Sequence, residues 1–230
     1  TPPKPAPKVQ APKPTPAPLD LLDASKGGKA VLFKNTGAAL SATPAWTSTA
    51  VTLNPRGLAW LDYDRDYYLD FAIANYGGAT QLYHNEGDGT FALAWESPSY
   101  PATSISAADF NGDGYPDLAI GNDGAPSVVF ENTQGAFGSI PIWTSPTTRR
   151  TTGIAWGDWD NDGYPDLALS NMTGTLQVFA NAASLPGAPA LVWVWSSNEK
   201  YAFTGVAWGD LNGDGYLDLA ASQSGRDSNG

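Results

Sequence analysis

The chain has 230 residues, 42% of them hydrophobic and 12% aromatic, a composition typical of a globular protein with a sizeable core. It contains no cysteine and a single histidine, which excludes disulfides, thiolate catalysis, cysteine-ligated zinc and a cluster of histidine metal ligands. The net charge of −11 argues against a nucleic-acid partner, and no apolar run approaches the roughly 20 residues of a membrane-spanning helix.

The first 18 residues, TPPKPAPKVQAPKPTPAP, have a composition unlike the rest of the chain. They contain eight prolines and three lysines, without a periodic apolar pattern. Such a composition favours an extended polyproline II conformation. We therefore predict a linker over residues 1–18; a basic strip that docks on an acidic surface is the alternative.

From residue 19 onward the sequence repeats with a period of about 50 residues. Each repeat has four short β-prone runs separated by turn residues, and none of the runs has the 3.6-residue apolar period of a helix. Four strands in such a period are the arithmetic of a β-propeller blade. The most similar segments are GLAWLDYDRDYYLDFAIAN (57–75), SISAADFNGDGYPDLAIGN (104–122), GIAWGDWDNDGYPDLALSN (153–171) and GVAWGDLNGDGYLDLAASQ (205–223).

The repeat predicts an all-β fold over residues 19–230, a β-propeller or propeller segment of four-stranded antiparallel blades. Three blades are expected to be complete, at about residues 51–98, 99–146 and 147–199. Residues 19–49 supply the last three strands of a partial blade, and residues 200–223 supply the first two strands of another. Unpaired strand edges are normally covered or used for pairing. We expect continuation into a longer parent chain first, head-to-tail assembly second and closure as a four-bladed ring third.

Four acidic loops follow the first β-prone run of the repeats and hold 14 of the 23 acidic residues. Their pattern is DxDxDGxxD, with asparagine in place of the second aspartate in two copies. Oxygens from positions 1, 3, 5 and 9 and the backbone carbonyl of position 7 would form a shell of hard ligands, as calcium requires. The first half of the loop has the alternation of an EF-hand. There is no glutamate at position 12, however, and a strand follows the loop, so position 9 is expected to close the shell.

We therefore predict up to four calcium ions, one in each loop. The predicted ligands are Asp62, Asp64, Asp66, Tyr68 and Asp70 in the first loop, Asp109, Asn111, Asp113, Tyr115 and Asp117 in the second, Asp158, Asp160, Asp162, Tyr164 and Asp166 in the third, and Asp210, Asn212, Asp214, Tyr216 and Asp218 in the fourth. The first loop has Tyr67 where the others have glycine, so its site is expected to be weaker, distorted or differently turned. A turn that caps its own backbone without a metal is the alternative for all four loops.

The segments DFNGDGYPDLAIGN and DWDNDGYPDLALSN resemble the FG-GAP/VCBS repeats of integrin-α-type propellers, and the resemblance covers residues 19–230. It implies four-stranded antiparallel blades with calcium in the hairpin between the first and second strands. It also implies an extracellular protein, secreted or at the cell surface, that works in adhesion or binds protein or glycan ligands. Such propellers also occur as modules of larger enzymes or toxins.

Tryptophans recur at matched positions of the first and fourth strands, where they are expected to fill the space between blades. Trp193 has no counterpart in the other repeats and is the best candidate for stacking on a sugar. His84 follows a strand and has no partner motif, so no role is assigned to it. No serine or threonine nucleophile motif is found, and the acidic groups are committed to the loops, so we expect no enzyme activity. The expected function is a calcium-stabilised module for adhesion, protein binding or surface and filament assembly. A lectin-like carbohydrate-binding propeller and a non-catalytic region of a larger secreted enzyme or toxin are the alternatives.

Overall fold

The computed structural model describes residues 21–24, 29–49, 54–182, 191–199 and 201–225, and of residues 21–24 only the backbone. The described residues form fifteen β-strands, and no helix among them has the length and apolar character to cross a membrane. The predicted linker at residues 1–18 lies outside the described residues. The strands are β1 Leu21–Ala24, β2 Ala30–Phe33, β3 Trp46–Thr47, β4 Pro55–Leu61, β5 Asp70–Asn85, β6 Phe91–Ala108, β7 Asp117–Ala125, β8 Val128–Phe130, β9 Trp143–Thr144, β10 Arg149–Gly157, β11 Asp166–Asn171, β12 Gln177–Asn181, β13 Leu191–Ser196, β14 Phe203–Gly209 and β15 Asp218–Gln223.

Three complete four-stranded blades occupy the middle of the chain, and all of their strand pairs are antiparallel. The first blade consists of β4, the two arms of β5 and the first part of β6. The long strand β5 folds back near Gly77, so that the rings of Phe71 and Tyr83 stack with their centroids 5.0 Å apart. The second blade consists of the end of β6 with β7, β8 and β9, and the third consists of β10 to β13.

Two partial blades flank the complete ones, as the repeat predicts. Strands β1, β2 and β3 form a three-stranded sheet, and β14 and β15 form a two-stranded sheet. The complete blades are joined into one continuous sheet because β6 serves two blades and the start of β10 pairs with the end of β7. The predicted fold class, with three complete and two partial blades, is therefore confirmed.

The second strand of each complete blade is buried at every position of its first six residues, which are residues 70–75, 117–122 and 166–171. A strand covered on both faces has a continuous run of apolar and small residues, without a polar–apolar alternation. This explains why the segments DLAIGN and DLALSN read as short apolar runs. Each of these strands begins with the last aspartate of an acidic loop, and so the core holds one end of each loop.

In three of the four fourth strands, the tryptophan packs on the next blade along the chain. Trp46 contacts the ring of Phe71 edge-on at 5.5 Å, Trp95 contacts Phe130 at 5.1 Å, and Trp143 contacts Phe179 at 5.1 Å. The indole N–H groups of Trp95 and Trp143 also donate hydrogen bonds to backbone carbonyl oxygens of the next blade. The expected role of these tryptophans between blades is confirmed.

The corresponding elements at the end of the described chain are exposed. Trp195 has the same repeat position as Trp143, yet its exposed fraction is 46% against 7%. Strand β15 has no buried residue, whereas the equivalent second strands of the complete blades are fully buried. The partial blade β14–β15 and the outer strand β13 therefore present apolar surface that the complete blades cover.

Candidate metal sites

Each acidic loop joins the first and second strands of a blade, in the hairpin position that the resemblance implies. The residue before the loop pairs with the aspartate at position 9, which starts the second strand. These pairs are Leu61 with Asp70, Ala108 with Asp117, Gly157 with Asp166 and Gly209 with Asp218. All predicted ligands therefore lie in four equivalent hairpins, and the strand register fixes both ends of each loop.

The aspartate at position 9 is buried in the three complete blades, where it holds two parts of the chain together. The Oδ2 atom of Asp117 accepts a hydrogen bond from the N–H of Phe110 at 3.0 Å, and its Oδ1 atom accepts one from the N–H of Asn132 at 2.7 Å. The same two bonds recur at Asp70 and Asp166. In the fourth loop Asp218 is exposed, and its Oδ2 atom keeps the bond from Leu211.

Burial makes the charged form of these carboxylates unfavourable. It raises the pKa of Asp117 to about 7 and the pKa of both Asp70 and Asp166 to about 6, although the two N–H donors act in the opposite direction. Burial also raises the pKa of Asp62 and Asp64 in the first loop. A carboxylate that is disfavoured as a free anion gains most from a cation at the same place.

The aspartate at position 1 accepts hydrogen bonds from backbone N–H groups further along its own loop. In the second loop Asp109 accepts the N–H of Asp113 at 3.0 Å through Oδ1 and the N–H of Gly114 at 2.7 Å through Oδ2. Asp158 and Asp210 accept the equivalent pairs of bonds in the third and fourth loops. In all four loops the carboxylate at position 5 accepts the N–H of the tyrosine at position 7. Positions 5 and 7 therefore make the same hydrogen bond in all four loops, and position 1 makes the same pair of bonds in the second, third and fourth loops.

The donor atoms of two loops lie close enough together to share one cation. Oxygens of Asp62, Asp64 and Asp70 lie within 4.8 Å of one another, as do oxygens of Asp158, Asp160 and Asp166. Oxygens bound to one calcium ion at about 2.3–2.6 Å can be at most about 5 Å apart, so both sets fit calcium. The Oδ1 atom of Asp62 is also buried without a hydrogen-bond partner, which a cation would correct.

The second and fourth loops have asparagine at position 3, and it folds in the same way. The Oδ1 atoms of Asn111 and Asn212 accept the N–H of Asp113 and Asp214 at 3.0 and 2.8 Å. An amide oxygen keeps the donor atom and removes one negative charge from the site. The roles of these asparagines, and of the carbonyl oxygens of Tyr68, Tyr115, Tyr164 and Tyr216, stay predictions.

Position 6 of every loop has a left-handed backbone. The φ angles of Gly114, Gly163 and Gly215 are 90°, 92° and 89°, and Tyr67 in the first loop has a φ of 74°. The N–H of Tyr67 still donates to Asp62 at 3.1 Å, so the first loop keeps the common turn and does not turn differently. Tyr67 therefore adopts the same turn as the glycines but with backbone strain, because a tyrosine in the left-handed region is unfavourable.

Position 4 also requires a left-handed backbone, which the sequence pattern alone did not reveal. Its φ angles are 64° at Arg65, 74° at Gly112, 59° at Asn161 and 76° at Gly213. Glycine and asparagine are the residues that tolerate this region best. Their presence at position 4 of three loops was the signal in the sequence.

In the second and third complete blades, an asparagine at the end of the third strand links the acidic loop to the preceding blade, and sequence reasoning missed this role. The Nδ2 atom of Asn132 donates to the carbonyl oxygens of Tyr63 and Pro116 at 2.8 and 3.1 Å, in the preceding blade and its own. Asn181 donates in the same way to Phe110 and Pro165 at 2.6 and 3.2 Å. Since the backbone of these asparagines also donates to position 9, hydrogen bonds connect the acidic loops of successive blades.

Antiparallel four-stranded blades with an acidic loop in the hairpin between the first two strands define a class of propeller proteins. The family model of the FG-GAP-like repeat matches three overlapping stretches, residues 62–120, 109–169 and 158–221. Together the stretches cover well over half of the chain, and the protein belongs to the FG-GAP-like repeat family. Each stretch begins at position 1 of one loop and includes the second strand of the next blade. No curated protein matches the chain.

Proposed function

We propose that the protein is an extracellular, calcium-stabilised β-propeller module that binds protein partners, in adhesion or in surface assembly. The repetition of one loop geometry in four hairpins carries this proposal. Two of the loops bring the oxygens of three aspartates within 4.8 Å of one another, and membership of the FG-GAP-like repeat family supports a protein-binding propeller. Membership of this family favours work outside the cell, at the cell surface or in the secreted fraction.

Calcium is the ion that best suits the three all-oxygen loops whose position 6 is glycine. It accepts six to eight oxygen ligands in flexible geometry, whereas magnesium demands a near-ideal octahedron and gives up water reluctantly. Five positions of each loop would supply ligands, and water would complete the shell. Extracellular calcium-binding modules typically have dissociation constants of about 10⁻⁴ to 10⁻³ M. The calcium concentration outside the cell is sufficient to fill sites of this affinity.

The test of this proposal is calcium calorimetry on the chelated protein, together with thermal unfolding. Calcium that binds only the folded state stabilises it by about 2.7 kcal/mol per site at a hundredfold excess over Kd. A chelator should therefore lower the melting temperature, and added calcium should restore it. Asp158→Ala should remove one site from the titration, whereas Asp88→Ala, in an exposed turn outside the loops, should leave the count unchanged. The same melting temperature with chelator and with calcium would contradict the proposal.

The proposed surface for a partner is the outer strand β13. Val192, Trp193, Val194 and Trp195 are all at least 36% exposed, so both faces of this strand present apolar side chains. Tryptophans on such a patch are typical of protein-binding sites.

A sugar is the second candidate ligand, since Trp193 is 55% exposed. Binding to a glycan array that Trp193→Ala abolishes would favour the lectin-like function.

Head-to-tail self-assembly is the second candidate function, and the partial blades favour it. Strands β14 and β15 have the positions of the first two strands of a blade, and β1, β2 and β3 have those of the last three. On two copies of the chain they would make one complete blade in which β15 takes the place of β1. Sedimentation velocity with calcium should then show association that increases with concentration and that Leu219→Asp, in β15, prevents. A monomer at every concentration would exclude this assembly.

The proposed module has no catalytic step of its own. It would serve equally as a non-catalytic region of a larger secreted enzyme or toxin. A catalytic domain elsewhere in the full-length protein would favour that interpretation.

A further inference from the structure

The first acidic loop differs from the others in the side chain that stands beside it. His84 lies in β5, one residue before Asn85, and it is the only histidine of the chain. The same repeat position holds Glu131 in the second complete blade and Ala180 in the third. The first loop is therefore the one place where an imidazole nitrogen joins the carboxylates.

The Nδ1 atom of His84 lies among the predicted ligands of the first loop. It is 3.2 Å from Oδ1 of Asp70 and 3.6 Å from Oδ2 of Asp64. The ring edge reaches solvent, with 21% of the side chain exposed, but the Nδ1 atom itself is buried and has no hydrogen-bond partner. The Asp70 side chain is fully buried, and the ring of Tyr63 packs edge-on against the imidazole at 5.8 Å.

Two buried polar atoms at this loop lack a hydrogen bond, Nδ1 of His84 and Oδ1 of Asp62. Buried polar atoms are normally paired, and a metal ion bound by His84 would give Nδ1 its missing partner. One ligand atom of each of Asp64, Asp66 and His84 lies within 4.8 Å of the other two. The separation of 3.6 Å between Nδ1 and Oδ2 of Asp64 fits two ligands of one ion. Atoms bound to the same zinc ion at about 2.0–2.2 Å lie about 3–3.6 Å apart.

We propose that the first loop is a mixed carboxylate–imidazole site for a divalent transition ion of the zinc class, held by Asp64, Asp66 and His84, with Asp70 beside the imidazole. Imidazole nitrogen favours zinc, cobalt and nickel, whereas calcium prefers oxygen ligands alone. Three ligands from the protein and one water suit the tetrahedral geometry of zinc better than the six to eight oxygens of calcium. The inference rests on the proposed role of the loops as metal sites, and the other three loops remain calcium sites.

The test is a zinc titration of the untagged full chain in excess calcium, which fills the all-oxygen sites. One equivalent of zinc should bind, and His84→Ala should weaken it by about tenfold or more. Glu131→Ala, the change at the same repeat position of the next blade, should leave zinc binding unchanged. In each variant the calcium titration should still report the other loops. Failure of calcium to bind anywhere would refute the proposed function, whereas normal calcium binding without a zinc site would refute this inference alone.

Spectroscopy of the unaltered protein tests the ligand without a mutation. The chain has one histidine, so imidazole-nitrogen hyperfine coupling on one equivalent of bound copper can come only from His84. We expect that coupling, together with the visible absorption of tetrahedral cobalt, at the same stoichiometry. Zinc affinity that is equal in His84→Ala and His84→Asn and in the unaltered protein would overturn the proposal. Tighter calcium binding by His84→Ala than by the unaltered protein would overturn the proposal as well. It would mean that a positively charged His84 competes with a cation in the first loop and does not bind one.

Discussion

At the scale of single residues, the left-handed turn at position 6 is the feature on which each acidic loop depends. Gly163 has a φ of 92°, and a Cβ atom added there would meet no other atom within 4 Å. Gly163→Ala should therefore reduce the free energy of unfolding by about 1–2 kcal/mol through backbone strain alone. It should also weaken calcium binding at the third loop, as measured by denaturant unfolding and calorimetry.

Gly209→Ala is the matched control for this substitution. A Cβ at Gly209 also meets open space, but the residue has no left-handed φ. It should therefore leave the free energy of unfolding nearly unchanged. Equal losses in the two variants would show that position 6 carries no special backbone requirement.

The hairpin position of the acidic loops could be predicted from the sequence because it is local. A pattern of nine residues contains the turn and the start of the second strand, and all four copies join the first two strands of a blade. The roles of their oxygens as metal ligands stay predictions. Contacts that join distant parts of the chain could not be predicted from the sequence in this way. Asn132 and the carbonyl of Tyr63 are 69 residues apart, and a backbone acceptor leaves no mark in the sequence. His84 was likewise assigned no role, because only the fold of β5 brings it to Asp70.

At the scale of the elements, the strand pairing and the asparagine links determine how one blade holds the next. Asn132 is fully buried, and its amide group satisfies a carbonyl of its own blade and one of the preceding blade. Asn132→Ala leaves both carbonyls without a donor. It should cost about 2–4 kcal/mol of unfolding free energy, measured by denaturant unfolding.

Asn85→Ala provides the comparison at the same repeat position. The amide of Asn85 donates to Leu69 within its own blade, where the bond is exposed. Its loss should cost about 1 kcal/mol or less. If the two variants lose the same stability, the links between blades contribute nothing beyond those within a blade.

Strand number and blade order could also be predicted from the sequence, because the period of about 50 residues repeats four β-prone runs. The continuity of the sheet could not. The sequence separates the fourth strand of one blade from the first strand of the next, whereas β6 passes through both without a break. Similarly, the fourth-strand tryptophans share one repeat position, but only the neighbouring blade decides whether Trp143 is buried or Trp195 exposed.

At the scale of the whole molecule, the buried aspartates give two opposite trends with pH. As the pH rises, the melting temperature in chelator should fall, whereas the gain in melting temperature from added calcium should grow. The pKa of Asp117 is raised to about 7 and that of Asp70 and Asp166 to about 6 in the folded state. In chelator, their contribution to stability is fully present below about pH 4 and is lost as the pH rises through these values. The melting temperature in chelator should therefore fall from pH 5 to pH 8.

With calcium, protons and metal compete for the same oxygens, so the gain in melting temperature from calcium should grow over that range. Scanning calorimetry from pH 5 to pH 8 measures both trends. Asp117→Asn should flatten the decline in chelator, while Asp88→Asn, at an exposed carboxylate whose pKa is lowered by its bonds to Thr90, should not. A melting temperature in chelator that is highest at pH 8 would contradict this account.

Most of the side-chain hydrogen bonds between successive blades end on backbone carbonyl oxygens, including those donated by Asn132, Asn181, Trp95 and Trp143. The bonds of Arg150 to Asp123 and between Ser127 and Thr151 are exceptions, since they join two side chains. A carbonyl is present whatever the residue, as Tyr63 and Phe110 at the same position of two loops illustrate. A repeat that was copied, deleted or moved would therefore keep most of the hydrogen bonds to its new neighbour, whatever side chains that neighbour has. Only side-chain pairs such as Arg150 with Asp123 would have to be matched again at the new junction.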